Sequence, residues 1–201
     1  DLAAALRWAA RLGLSEGVDN HISMAVPGSD GEIQGDRFLI NPYGWHWSEI
    51  TASSLVLADD KGNVLEGSNA IEDSAFFIHS RVHIEVPSAR VVLHNHMPYT
   101  TALTLLEDGR LEMCEQNALQ FDGRIAYDDE YNGLALDSNE GDRIANKMGE
   151  ASILLWPVTV SLSLVNPWLA HLRTCTTWSE HRCFRFWHGL QAVTYVRFQI
   201  Q

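Results

Sequence analysis

The sequence predicts an α/β fold, because segments with helical spacing of apolar residues alternate with segments that have the pattern of β-strands. Residues 2–12 are apolar at helical spacing and are followed by Gly13, a typical helix C-cap. Residues 21–26 alternate polar and apolar side chains, as half-buried strands do. Residues 91–93 form an apolar run that ends in two histidines, and Pro98 begins another apolar segment. A chain of 201 residues with 46% hydrophobic residues fits one domain with a sizeable core.

The remaining elements follow from turn residues and periodicity. In order, the first half has a Gly/Asp/Ser-rich loop at 27–35, a strand at 37–41, a turn at 41–44, a short helical stretch from Ser48 and a hairpin at 54–66. The second half has a helix at 72–86 ended by Pro87, the strand before His94, a helix from Pro98 to Leu106, a short helix at 115–120, a strand at 123–126, an acidic loop at 128–132, a helix at 138–148 and a strand at 152–156.

The overall charge of −12 argues against nucleic acid or an anionic membrane as the main partner. A small anionic substrate would need a local positive feature such as a metal ion or a helix N-terminus. The cysteines, Cys114, Cys175 and Cys183, form no Cys-x-x-Cys pair, so we expect a reducing, cytoplasmic compartment. The chain begins at Asp1 without methionine, so we expect further residues upstream.

His94 and His96 are the first candidate metal ligands. They lie two apart at the end of a predicted strand, where side chains share a face and Cα atoms are about 6.5–7 Å apart. Paired imidazoles suit Zn²⁺, and a catalytic zinc site uses three protein ligands and one open position. The alternative is a pair of surface histidines at a strand end.

His79 and His83 are four apart on a predicted helix and therefore share one of its faces. Two such histidines can chelate a metal ion, but no acidic residue stands near them in a pattern such as His-Glu-x-x-His. We therefore predict a packing or hydrogen-bonding role for both.

Taken together, the motifs resemble those of the class II aldolase/adducin family over roughly residues 2–156. Each motif is short, but their order and spacing match along the whole segment. They are Leu12-Gly-Leu-Ser-Glu-Gly, Asn20-His-Ile-Ser, Asn41-Pro-Tyr-Gly, Ser48-Glu-Ile-Thr-Ala-Ser, Phe77-Ile-His-Ser, His94-Asn-His-Met-Pro-Tyr, Glu115-Gln-Asn-Ala-Leu, Gly133-Leu-Ala-Leu and Glu140-Gly-Asp-Arg-Ile.

The resemblance implies a three-layer α/β/α sandwich around a mainly antiparallel, mixed sheet, and a homo-oligomer, commonly a tetramer. It also implies a divalent metal, usually zinc, held by three histidines. In the family's enzymes this ion polarises a carbonyl and stabilises an enediolate during aldol cleavage, epimerisation or decarboxylation of small carbonyl, hydroxy-acid or sugar-derived substrates.

By resemblance, His94 and His96 are two metal ligands, and the third is expected at the position of Thr159. The loops expected to bind a substrate phosphate or carboxylate contain His21, Ser23, Asn41, Gly44 and Ser74, and Tyr99 is expected near the substrate. The family's acid/base glutamate falls at Ala75, which is the pattern of the adducin-like branch, so the catalytic residue stays unknown. Glu72 and Asp73 lie about 100° and 200° away around the helix and do not replace it without a shift.

The chain departs from the family after Trp156. Residues 157–201 lack clean periodicity, and a shifted reading frame would encode the family's histidine beside Thr159 and its final helix. We therefore predict a domain at 1–156, incomplete at its C-terminus, and an out-of-frame tail at 157–201. His171, His181 and His188 are not assigned as ligands, and the chain as it stands is expected to bind metal weakly and to be inactive.

Two functions remain open from the sequence. The first is a metal-dependent lyase-like enzyme, which is favoured by the presence of both His94 and His96. The second is a non-catalytic adducin-like scaffold of the actin or cytoskeleton type, favoured by Ala75.

The out-of-frame tail is directly testable by sequencing the source DNA. We expect the DNA to contain an insertion or deletion of one base near the codon of Trp156. Correcting this change should restore the family's histidine. An uninterrupted frame that encodes residues 157–201 as they stand would show a divergent C-terminus instead.

Overall fold

The computed structural model describes residues 1–86, 88–107, 109–114, 116–156 and 160–165. Thr159, His171, His181 and His188 lie outside these residues, as do Cys175, Cys183 and most of the predicted out-of-frame tail. The described elements are α1 Leu2–Arg11, β1 His21–Ala25, β2 Arg37–Ile40, β3 Val56–Asp59, β4 Val64–Glu66, α2 Asp73–Glu85, β5 Val91–Asn95, α3 Pro98–Thr104, β6 Ile125–Tyr127, α4 Ser138–Met148, β7 Ile153–Trp156 and β8 Val160–Val165.

The strands form one sheet in the order β4-β3-β2-β1-β5-β8-β7-β6. Every pairing between neighbours is antiparallel except that of β6 with β7, which is parallel. The two hairpins expected from turn residues are present as β1–β2 and β3–β4. The mainly antiparallel, mixed sheet is therefore confirmed.

Helices cover both faces of this sheet. On one face, Leu2 and Leu6 of α1 belong to the same buried cluster as Leu93 of β5 and Leu155 of β7. On the other face, α2 and α4 pack onto the sheet residues that alternate with these, such as Val92 and Leu154. A smaller cluster places Ala75 of α2 against Phe38 and Ile40 of β2. The alternation of side chains along the strands thus produces the three-layer α/β/α arrangement expected from the sequence.

The helices on the α2 face begin at acidic caps. The Glu72 carboxylate accepts a hydrogen bond of 2.6 Å from the amide of Ala75 at the start of α2. Asp137 does the same for the amide of Glu140 at 3.1 Å, at the start of α4. Each carboxylate satisfies an amide that has no partner within the helix and lies at the positive end of the helix dipole.

Helices α2 and α4 approach each other closely at Gly141. A Cβ atom there would collide with the carbonyl oxygen of Phe77 and the side chain of Arg81. The guanidinium of Arg81 binds the carboxylate of Asp142 in the next position of α4. The close contact fixes α2 over the sheet, which matters because α2 carries His79 and His83.

The structure shortens some predicted elements. The helix expected to reach Leu106 ends at Thr104, and the helix expected at 115–120 is a 3₁₀ helix at Ala118–Phe121. Strand β8 lies beyond the predicted domain end at 156, between β5 and β7. Among the described helices, none is both long and apolar enough to span a bilayer.

Replacing Leu154 by Ala should destabilise the fold, because this side chain is fully buried in β7. We expect a loss of about 2–5 kcal/mol in the free energy of unfolding, from lost apolar burial and the cavity that remains. The matched control is Leu65→Ala in β4, where the side chain is 44% exposed and the loss should stay within about 0.5 kcal/mol. Urea unfolding measures both, and equal losses would contradict this packing.

Candidate metal centre

Three buried histidines meet between the sheet and α2. In the antiparallel pairing of β1 with β5, His21 lies directly opposite His94, so their side chains are neighbours on one face of the sheet. That face is the one covered by α2, because Val92, two residues before His94, packs there. His79 reaches the pair from α2. The sheet register and the packing of one helix therefore bring together residues 21, 79 and 94.

The three imidazoles are close enough to share one ion. One nitrogen of each ring lies within 4.8 Å of a nitrogen of the other two. The ring centroid of His21 lies 5.4 Å from that of His94 and 6.0 Å from that of His79, and those of His79 and His94 are 6.5 Å apart. All three side chains are buried.

A hydrogen-bonded chain connects this cluster to the backbone. His83 Nδ1 lies 2.8 Å from the carbonyl oxygen of Ala89, and His83 Nε2 lies 2.7 Å from the hydroxyl of Ser23. The same hydroxyl lies 2.6 Å from His79 Nδ1. Ser23 is fully buried, and its hydroxyl therefore joins the two histidines of α2.

Burial keeps these imidazoles neutral. It lowers the pKa of His21 and of His83 to about 4, despite the opposing effects of Glu72 and Asp19 on His21 and of the Ala89 carbonyl on His83. Burial, followed by repulsion from neighbouring histidines, lowers the pKa of His79 and of His94 well below the usual value. Neutral imidazole is the form that binds metal ions.

Several nitrogens of the cluster have no hydrogen-bond partner among the described residues. They are His21 Nδ1, His79 Nε2 and both ring nitrogens of His94. A buried polar atom without a partner costs free energy, so such atoms in one place point to a ligand or ion. The donor set fits a divalent transition-metal ion, for which imidazole nitrogen is a common ligand.

His96 lies beside the cluster just beyond β5. Its ring centroid is 5.6 Å from that of His94, and its side chain is less buried than the other three. The His96 amide donates a 2.8 Å hydrogen bond to Asn20 Oδ1. Burial lowers the pKa of His96, opposed by Asp19 and Glu16. The structure therefore places the predicted pair of His94 and His96 side by side.

The residues predicted to bind substrate fall in different surroundings. His21 and Ser23 lie in the cluster, and Ser74 donates a 2.6 Å hydrogen bond to Glu72. Asn41 is buried, and its side chain binds the amide of Ile22 and the carbonyl of Asn20, so it braces the start of β1. Gly44 is in an exposed turn with φ of 75°, and Tyr99 is 39% exposed in the first turn of α3.

Glu72 is the acidic residue beside the cluster. Its Oε2 lies 4.0 Å from His21 Nε2. Burial raises the pKa of Glu72, but hydrogen bonds from Ser74 and the Ala75 amide outweigh burial and lower it. Ala75 itself is fully buried against β2.

The cluster reaches one small cavity. It has a volume of about 40 Å³ and is lined by His94, Ser74, Glu130, Arg143 and Trp156 among others. A larger cavity of about 500 Å³ lies between the end of α3 and strands β6 and β7. None of the histidines lines the larger cavity.

The sequence predicts a packing or hydrogen-bonding role for His79, but it does not predict that His79 lies beside His21 and His94. Its hydrogen bond to Ser23 agrees with the predicted hydrogen-bonding role, but its second nitrogen faces two further histidines. The available signal was two spacings: His21 and Ser23 are two residues apart on a strand, and His79 and His83 are four residues apart on a helix. It becomes interpretable only once β1 and β5 are known to be neighbours under α2.

Comparison with known proteins agrees with this fold and sequence pattern. The profile of the family described as "Class II Aldolase and Adducin N-terminal domain" matches residues 1–157. The chain belongs to the class II aldolase and adducin family. The recognition from sequence motifs is therefore confirmed, and so is the predicted fold class.

Individual members of this family differ in their named functions. An adducin-related protein of Schizosaccharomyces pombe is 32% identical over 77% of this chain and 48% of its own length. The decarboxylase NovR of Streptomyces niveus is 32% identical over 86% of this chain and 65% of its own length. An aldolase II superfamily protein from Pseudomonas syringae, solved by crystallography, has a TM-score of 0.82 and 30% identity over 96% of this chain and 75% of that chain.

The chain spans between 48% and 58% of the length of the first curated relatives that it matches. Family membership therefore covers lyase-type enzymes and adducin-related proteins alike, and the choice between them depends on the site.

The neutral state of His83 predicts a pH-dependent stability. In the unfolded chain His83 binds a proton near pH 6.5, but in the folded chain only near pH 4. The contribution of neutral His83 to the free energy of unfolding is complete above pH 6.5 and is lost as the pH falls towards 4. The loss is about 2 kcal/mol at pH 5. Glutamine does not titrate. Between pH 7.5 and pH 5, the free energy of unfolding of His83→Gln should therefore fall by about 2 kcal/mol less than that of the parent chain. Urea unfolding at both pH values measures this, and equal falls would contradict it.

Proposed function

We propose that this chain is a divalent-metal-dependent, lyase-like enzyme that acts on a small carbonyl, hydroxy-acid or sugar-derived substrate. The reaction class is aldol cleavage, epimerisation or decarboxylation. The observation that carries the proposal is His94, a buried strand residue whose two ring nitrogens have no hydrogen-bond partner among the described residues. A scaffold has no physical need for a buried, unpartnered imidazole, which costs folding free energy.

The proposed ion is Zn²⁺ or another divalent metal, with His94 and His96 as ligands from the family pattern. The third family ligand is expected at Thr159, outside the described residues. When bound, such an ion acts as a Lewis acid that stabilises negative charge on a substrate oxygen. The chain's own residues hold the ion and shape its surroundings, in which Trp156 and Ser74 line the cavity at His94.

The proton-transfer group of this reaction differs from the family's glutamate, because Ala75 has no titratable group. Tyr99 is the proposed candidate, because it lies shortly after His96, in the first turn of α3. His21 and Ser23 are proposed to lie near the substrate. The substrate is proposed to be anionic, since a divalent ion would supply local positive charge in a chain of net charge −12. We further propose a cytoplasmic homo-oligomer.

The second candidate function is an adducin-like binding or scaffold domain. Ala75 favours it. The 32% identity to an adducin-related protein does not decide, because the decarboxylase NovR is equally similar. Such a scaffold would keep the fold and the packing around Ala75 without catalysis.

A metal assay separates the two functions. We expect a frame-corrected chain to carry about one equivalent of zinc, measured by elemental analysis after purification, and His94→Ala to lose it because one ligand is removed. The control is His46→Asn, because His46 caps a 3₁₀ helix outside the cluster and Asn is also a good N-cap.

If the His46→Asn control retains zinc, a loss of zinc in His94→Ala can be attributed to removal of the His94 ligand. A frame-corrected chain without zinc, also after addition of Zn²⁺, would remove the enzyme proposal and leave the scaffold.

A further inference from the structure

The hydrogen-bonded chain from Ala89 to His79 determines where the protons lie. The Ala89 carbonyl can only accept, so His83 Nδ1 must carry a proton. In a neutral ring His83 Nε2 is then an acceptor, and Ser23 must donate its hydroxyl proton to it. The Ser23 oxygen therefore accepts from His79 Nδ1, which makes His79 Nε2 a bare lone pair.

His21 has a comparable arrangement. Its Nε2 faces the Glu72 carboxylate at 4.0 Å, which favours the proton on Nε2 and leaves Nδ1 as the lone pair. His21 Nδ1 and His79 Nε2 are also the nitrogens of these two rings that have no partner among the described residues. A carboxylate or polar group on the far nitrogen is the usual support of a metal-bound histidine.

We propose that His21, His79 and His94 form a three-histidine site for a divalent transition-metal ion, oriented by the chain Ala89–His83–Ser23–His79 and by Glu72. This site differs from the pair of His94 and His96, because it shares only His94 with it. It needs no residue after 156, so the chain as it stands contains all three ligands. It goes beyond the proposed enzyme, since two of its three ligands, His21 and His79, are not ligands in the family pattern.

The distances agree with such a site. Tetrahedral zinc with Zn–N bonds of about 2.0–2.1 Å separates its nitrogens by about 3.4 Å. One nitrogen of each of the three rings lies within 4.8 Å of one nitrogen of the other two, so an approach of roughly 1.5 Å or less would bring such a set to this separation. Three imidazoles leave a fourth position open, as in catalytic zinc sites.

The test is Zn²⁺ binding to the metal-stripped full chain, measured by competition with a chelator of known affinity. We expect one equivalent to bind. His79→Asn should weaken binding by more than about 100-fold, because Asn keeps a donor near Ser23 but lacks the second nitrogen. Ser23→Ala should weaken binding by about 10–100-fold, the usual effect of losing a supporting group. The matched control is His46→Asn, which lies outside the cluster and should change binding by less than about threefold. His96→Asn should likewise keep the affinity of the chain as it stands, because His96 is not one of these three ligands.

The outcomes separate this site from the proposed function. If His96→Asn abolishes binding and His79→Asn does not, the three-histidine site is wrong and the family pair stands. Failure of the chain as it stands to bind Zn²⁺ also overturns this site, whereas the proposed function is tested on the frame-corrected chain.

A second measurement uses only the parent chain and therefore does not depend on whether the variants fold. Long-range ¹H–¹⁵N correlation on the metal-free parent reports the tautomer of each ring. We expect His79 and His83 with the proton on Nδ1, and a shift of the His79 Nε2 resonance when Zn²⁺ is added. A proton on His79 Nε2, or no shift with Zn²⁺, would overturn the site.

Discussion

The antiparallel pairing of β1 with β5 is the constraint on which the site depends. Its register places His21 opposite His94 and Ser23 opposite Val92. A slip of β1 by one residue would turn His21 and Ser23 to the α1 face, away from His94. The register is held by burial on both faces and by the Asn41 side chain, which accepts from the Ile22 amide at 2.9 Å. The position of the histidines is thus a consequence of how the core packs.

Helix α2 completes the arrangement, and its position is also over-determined. Glu72 caps its start, and Gly141 of α4 allows close packing along its length. Near its end, a Cβ atom on Gly35 would collide with the carbonyl of His83, and Gly35 has a φ of 81° that favours glycine. His79 and His83 are therefore held over Ser23 by contacts on three sides.

Periodicity and turn residues predicted most of this fold correctly, because hairpins and amphipathic helices are local features. The hairpins β1–β2 and β3–β4 follow from their loops, and α4 follows from its caps. The pairing of β1 with β5 has no local signal, since about 65 residues separate them. For the same reason His94 and His96, neighbours in sequence, were found as candidate ligands, whereas His21 and His79 required the tertiary structure.

An alanine at position 75 removes a negatively charged side chain from the surroundings of the site, and not only a catalytic base. A carboxylate ligand would offset part of the charge of a divalent ion. Three neutral imidazoles offset none of it and leave Glu72, 4.0 Å from His21, as the acidic group beside the site. Burial strengthens the field of the ion's charge, since the effective dielectric constant is lower than in water. In a chain of net charge −12, such an ion would be a concentrated positive feature. An ion held by His21, His79 and His94, with no carboxylate ligand, would therefore favour binding of an anionic molecule.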